Sequence, residues 1–387
     1  MIILYICYIS YYSEMSDSEI PSQSTSASGS SSSSSNNNTN RDPPKINFSK
    51  LPAKKELKMK DLLARSIPWD QVEIPVDVLL LTVEDCEFLA CVSYLNKGFY
   101  KSHHDKPGIV YFGKIGKKGQ DTLKIALMKS YMGPMNALTT VKNAVEVLSP
   151  KAVIWVGSCR GLNAKKVNLG DVVVSSKLRT YANEKVTDKG NEDWNDAVPV
   201  STHLSRLLLD AGLGWNPPLK NVAELEVKVQ NGVILSGPKE VDSRKLHAEL
   251  TGRFGEAIAI DMEGEGLYKA AHDLKIEWAV IKGVADYADG TNSSTDEWKR
   301  FASFMAASVT AKVLDSSPFK NMPNYKGVVS TTPEQALKQQ GQGPPRTPDG
   351  KVDKDEVRKR RLKALGRDSQ TEKRVRTEEE VVPAKSK

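Results

Sequence analysis

From residue 76 the chain alternates short, continuously apolar runs with stretches whose apolar residues recur every three or four positions. The first kind has the length and composition of a buried strand, the second the period of an amphipathic helix. Strands are expected at 76–81, 109–112, 123–127, 152–156, 172–178, 227–235, 257–260 and 278–284. Helices are expected at 84–95, 136–148, 203–211, 239–250, 264–272 and 297–314, the second ended by Ser149-Pro150. The strand at 152–156 is expected to break into a loop at Gly157–Leu162, and His103-His104 reads as a loop pair. A polar insertion occupies 183–200. Strands alternating with helices and interrupted by hairpin-like pairs predict an α/β domain with a mixed sheet, over 76–318.

The flanks differ. Residues 22–40 contain no large apolar side chain, so they cannot bury enough surface to offset the entropy of ordering. Residues 1–50 are read as a disordered Ser/Asn-rich segment, 51–75 as a basic, extended arm and 319–387 as a disordered charged tail. The net charge of +7 belongs mostly to the end of that tail: residues 351–387 hold 13 Lys/Arg against 8 Asp/Glu, a balance of +5. The remaining domain is near neutral, which argues against a nucleic-acid groove. Two basic clusters, Arg358–Arg361 and Lys373–Arg376, are spaced as for contact with an import receptor or a polyanion, or form a solvated tail.

None of the four cysteines forms a CxxC pair or a zinc spacing, and His is scarce, so no structural metal is expected. Free thiols fit a reducing compartment, and a cytoplasmic location, with the tail pointing to the nucleus, is expected. The opening MIILYICYISYY is too short to span a bilayer and lacks a basic n-region. No other stretch is a membrane candidate. Met15 opens a more ordinary start, so residues 1–14 are set apart.

Candidate chemistry sits at two strand ends. Residues 257–260 run into Asp261, Met262 and Glu263, and 278–284 run into Ala285, Asp286 and Tyr287. Ligands of α/β sheets bind outside the carboxyl ends of strands, although carboxylates there also serve as helix caps.

Seven segments carry a resemblance. They are TVEDCEF (82–88), MGPMNALTT (132–140), VGSCRGL (156–162), LGDVVVSS (169–176), ILSG (234–237), DMEGEG (261–266) and KGVADYADG (282–290). In this order and spacing the chain resembles the nucleoside phosphorylase / nucleosidase superfamily, most nearly its methylthioadenosine / S-adenosylhomocysteine nucleosidase-like domains. The resemblance implies a three-layer α/β/α fold, a homo-oligomer, a nucleoside as small-molecule substrate, and no metal or organic cofactor, with inorganic phosphate a co-substrate only if the reaction is phosphorolytic. By position it implies that Asp286 protonates the leaving purine, Glu87 activates water and Glu263 holds the ribose diol beside Met262. It places Ser158, Cys159 and Arg160 on the loop bordering the nucleoside and the Val241 backbone facing the base.

Three positions depart from the pattern. Ala285 stands where many members carry Ser, Glu240 where nucleosidases tend to place a stacking Phe, and Arg160 where a small residue is usual. The expected activity is hydrolytic cleavage of the N-glycosidic bond of an adenosine-type ribonucleoside. A phosphorylase and a catalytically weak nucleoside-binding module are the alternatives.

Overall fold

A computed structural model describes residues 42–62, 65–116, 122–182, 184–188, 190–193, 197–291, 295–315, 319 and 322. In chain order these form β1 (Arg65–Ser66), β2 (Val78–Thr82), α1 (Asp85–Tyr94), β3 (Tyr100–His104), β4 (Gly108–Ile115), β5 (Leu123–Lys129), α2 (Pro134–Leu148), β6 (Ala152–Gly161) and β7 (Val172–Thr180). There follow β8 (Glu184–Thr187), β9 (Gly190–Asp193), β10 (Val198–Pro199), α3 (Thr202–Leu209), β11 (Val229–Ser236), α4 (Arg244–Arg253), β12 (Ala257–Asp261), α5 (Gly264–Leu274), β13 (Glu277–Tyr287) and α6 (Asp296–Leu314).

One mixed sheet runs β1-β3-β4-β5-β2-β6-β12-β11-β7-β10, with β13 pairing both β6 and β7; β8 and β9 form a separate hairpin. The fold is the expected three-layer α/β/α. The strands at its centre are apolar on both faces, as buried strands must be: all five residues of β2 and nine of the eleven in β13 from Trp278 to Asp286 are buried. Helix α1 packs on α6, and α2 on α5. The approach of α6 to β13 is close enough that a Cβ on Gly283 would lie 2.1 Å from the Ala302 carbonyl oxygen. Local signals set the helix ends. Ser243 and Thr295 cap α4 and α6 by accepting from the Leu246 and Trp298 N–H groups. Gly133, at φ +97°, delivers Pro134 into the first turn of α2, and Ser149 ends it in a left-handed conformation.

Two expectations for the sheet are corrected. The strand expected to stop at Val156 continues to Gly161, because β13 pairs with it in parallel as far as Tyr287↔Gly161 and so supplies the hydrogen bonds a glycine-rich segment needs. His103-His104 lie not in a loop but at the end of β3, paired with Ile109 and Gly108 of β4. The period of β3 was masked because only one of its five residues is buried.

The residues expected as an arm, and the last of those expected in the N-terminal tail, pack onto the body. Ile46, Leu51 and Leu62 are buried with the main core. Phe48 meets the Phe304 ring of α6 edge-on at 5.4 Å. The Asn47 N–H donates to the Pro218 carbonyl at 2.7 Å, and the Ala53 N–H to the Ser93 carbonyl at the end of α1. Their apolar residues are too widely spaced for a helix or strand period, yet the core takes them one at a time. Phe319 and Met322, past the expected domain end, are buried as well. Of the tails expected at 1–50 and 319–387, residues 1–41 and those beyond 322 lie outside the described residues.

If the arm is part of the core, Leu51→Ala should cost about 2–4 kcal/mol in urea unfolding. Lys50→Ala, on the neighbouring exposed position, should stay within about 0.5 kcal/mol.

Candidate active site

The site begins with a fork in the sheet. One edge of β6 follows β13 throughout. Its other edge pairs with β2 over Ala152–Trp155 and then with β12 at Arg160 and Gly161. Among the described residues no strand lies beside Val156–Cys159 on that edge, and the backbone there needs another acceptor. Glu87, in the first turn of α1, supplies it. The Ser158 N–H donates to Glu87 Oε1 at 2.7 Å and the Ser158 hydroxyl to the same oxygen at 3.2 Å, while Oε2 accepts the Val83 and Glu84 N–H groups at 2.8 and 3.1 Å. Glu87 is thereby locked across the fork at 3% exposure. The contact requires Gly157, where a Cβ would fall 2.2 Å from Glu87 Oε1.

A cavity of about 110 Å³ opens at this fork, and all eight residues expected from the sequence line it: Glu87, Ser158, Cys159, Arg160, Val241, Met262, Glu263 and Asp286. Glu263, at the start of α5 and 4% exposed, accepts the Gly133 N–H at 3.3 Å on one oxygen and the Lys282 ammonium at 3.2 Å on the other. Asp286, 1% exposed at the end of β13, faces Arg160 Nη1 at 3.5 Å. Arg160 is shared: Nη2 donates to Glu240 at 2.9 Å, and Nη1 donates to the Val241 carbonyl at 3.1 Å and lies 3.4 Å from Asp242. Cys159 is buried, and burial pushes its thiol up to about 12, so it forms part of the wall and not a nucleophile.

Sequence reasoning missed Lys282. It is 2% exposed in the middle of β13, and burial alone would push its ammonium down. Glu263, Glu87 and Asp261 outweigh that and hold it above the ordinary lysine range. The available signal was one lysine inside an otherwise apolar strand, AVIKGVA, which is costly unless carboxylates meet it. Asp261, expected to be structural, does cap α5, accepting the Gly264 N–H at 3.2 Å on each oxygen. Burial raises its pKa to about 6, against the pull of Lys282 and with the push of Glu263. Glu240, Lys239 and Lys299 also line the cavity. Among the described residues no group of three or more His, Cys, Asp or Glu is arranged to hold a metal ion, and no helix is long and apolar enough to cross a membrane.

Two outcomes follow from these charges. Removing the ammonium in Lys282→Met leaves Glu263 buried without its counter-charge, which should cost about 3–5 kcal/mol by urea denaturation. Asp261 has a folded value above its unfolded one, so its contribution is complete below about pH 4 and is lost as pH rises through about 6. The melting-temperature advantage of the native protein over Asp261→Asn should therefore narrow between pH 5 and pH 7.

Known proteins resemble the chain in sequence and in fold. Residues 87–316 match the family model described as the phosphorylase superfamily. A death domain-containing ATP nucleosidase of Amphimedon queenslandica is 30% identical over 269 residues, covering 64% of this chain and 50% of that protein. The chain thus spans about half the length of this curated relative. Two solved structures share the fold. The 5′-methylthioadenosine/S-adenosylhomocysteine nucleosidase of Neisseria meningitidis has a TM-score of 0.52 at 22% identity, covering 62% of this chain and 98% of that one. The corresponding protein of Colwellia psychrerythraea, in complex with adenine, has a TM-score of 0.52 at 19% identity, covering 62% and 95%. With its fold, its forked sheet and a family model matched over more than half its length, this chain belongs to the phosphorylase superfamily.

Proposed function

We propose that the chain hydrolyses the N-glycosidic bond of a purine ribonucleoside, free or 5′-phosphorylated. The observation that carries this reading is the convergence of three buried carboxylates, Glu87, Glu263 and Asp286, from three different elements on one small cavity. Their surroundings divide the labour. Glu263, fixed from behind by Lys282 and the Gly133 N–H, suits a vicinal diol, since a carboxylate accepts from both hydroxyls. Asp286 gives a proton to the purine at N7 as the C1′–N9 bond breaks and its electron pair leaves on the base. Glu87 orients a water molecule and takes its proton as the oxygen joins C1′, the division of roles found in inverting glycoside hydrolysis.

Water is favoured over phosphate as the acceptor by the charges deep in the cavity. Arg160 and Lys282 are both engaged by carboxylates, so a phosphate dianion there would face Glu87, Glu263 and Asp286. The Amphimedon queenslandica relative, named as an ATP nucleosidase, supports a nucleosidase reaction and brings nucleoside triphosphates into the substrate range. Lys239 and Lys299, both lining the cavity, are the cations available to a 5′-phosphate. We place the substrate within a homo-oligomer, as the resemblance implies.

Chromatography of a nucleoside and nucleotide panel should show free base together with ribose, or ribose phosphorylated only at the 5′ position, at a rate unaffected by inorganic phosphate. Asp286→Asn and Glu87→Gln should each lower turnover on the order of 10²–10⁴-fold. Ribose 1-phosphate among the products would overturn hydrolysis, and binding with no base release would leave a nucleoside-binding module.

A further inference from the structure

One wall of the cavity is the segment Lys239–Val241, which follows β11. It belongs to no helix or strand, so no ladder of backbone bonds fixes it. A phenol fixes it instead. Tyr181 comes directly after β7, whose last residue, Thr180, lies beside Ser236 at the end of β11. Its hydroxyl donates to the Lys239 carbonyl at 2.9 Å and accepts the Lys239 N–H at 3.1 Å. Both backbone groups of Lys239 are thus held by one oxygen atom. The ring lies so close to Gly237 that a Cβ there would fall 2.6 Å from its Cε1 and Cζ atoms. Tyr181 is buried and shares an apolar cluster with Val241. Burial pushes its phenol above the ordinary tyrosine range, so it keeps the proton it donates.

Tyr181 stands behind this wall and is not among the residues that line the cavity. Resting on the reading that the cavity holds a purine nucleoside or nucleotide, we infer that Tyr181 is a positioning residue. It sets the Lys239–Val241 wall and, through it, how tightly the substrate is held. The wall carries none of the three carboxylates proposed for the reaction, which lie in α1, at the start of α5 and in β13. Loosening it should therefore weaken the ground state and the transition state alike. Such a change raises KM and leaves kcat nearly as it was. The physical cause is preorganisation. A segment that is already ordered does not have to be ordered by the ligand, and affinity gains what that ordering would have cost.

The test is Tyr181→Phe in the full chain, which keeps the ring on Gly237 and removes only the hydroxyl. KM for the best substrate of the nucleoside and nucleotide panel should rise on the order of threefold to thirtyfold, the loss of one or two net hydrogen bonds. Turnover should stay within about twofold of native. A tyrosine that served stability alone would lower the melting temperature and the active fraction, hence the apparent kcat, with KM unchanged. That result overturns the inference. Gly237→Ala, whose methyl pushes on the same ring, should raise KM as well, and the double variant should fall short of the product of the single effects. Effects that multiply would mean two separate sites and overturn it. Calorimetry with free adenine and hypoxanthine separates the inference from the proposed reaction. If the native chain binds a base but releases none from any substrate, the reaction falls. In that case weaker base binding by Tyr181→Phe upholds the positioning role, and equal binding overturns it. A native chain that neither binds a base nor turns over a substrate overturns both.

Discussion

The site depends on a hydrogen-bonding debt in the backbone of β6. Where that strand leaves β2 and has not yet met β12, its N–H groups have no strand to pair with, and a sheet cannot stay open at a buried point without an acceptor. The Glu87 carboxylate provides it for Ser158 and at the same time ties down the start of α1 through Val83 and Glu84. The fork, the cavity and the position of the carboxylate are therefore one feature. Moving Glu87 would close the gap or leave it unsatisfied, so the group proposed to activate water is held by the same bonds that hold the sheet apart.

A second layer of constraint is charge. Four carboxylates, Glu87, Asp261, Glu263 and Asp286, are gathered in a volume that excludes most water, and two cations, Lys282 and Arg160, stand among them. The cations are not equivalent. Lys282 is sealed in β13 behind Glu263 and behaves as part of the frame. Arg160 reaches across the cavity to the loop at Glu240–Asp242 and keeps partial access to solvent, which makes it a group that a ligand meets. The ammonium fixes a carboxylate, while the guanidinium faces whatever enters.

Much of this was legible in the sequence, and what was missed follows a rule. Strands with continuous apolar runs, such as β2 and β13, and helices with clear caps, such as α2 and α6, announce themselves because both faces or one stripe are buried. Eight of the residues that line the cavity were named beforehand because the resemblance places them by position, some at strand ends and others, such as Glu87 and Val241, on a helix or a loop. β3 was not, since an edge strand with one buried residue has no period to read. The extension of β6 to Gly161 was hidden because its pairing comes from β13, more than a hundred residues later. Lys282 was overlooked because a lone lysine in an apolar run counts as a blemish until its three carboxylate neighbours are seen together.

The packing of Phe48 on Phe304 bears on how the protein can be cut. A fragment opened at Val76, where the alternation of strands and helices first becomes regular, would strip Phe48 from the Phe304 ring of α6, break the Ala53–Ser93 hydrogen bond at the end of α1 and take the buried Leu51 and Leu62 out of the core. Those are the two helices that carry Glu87 and Lys299 to the cavity. Truncation at the apparent domain border would thus bare apolar surface close to the candidate cavity, inviting aggregation for reasons unconnected with chemistry. A fragment that keeps the Phe304 ring of α6 covered starts before Phe48.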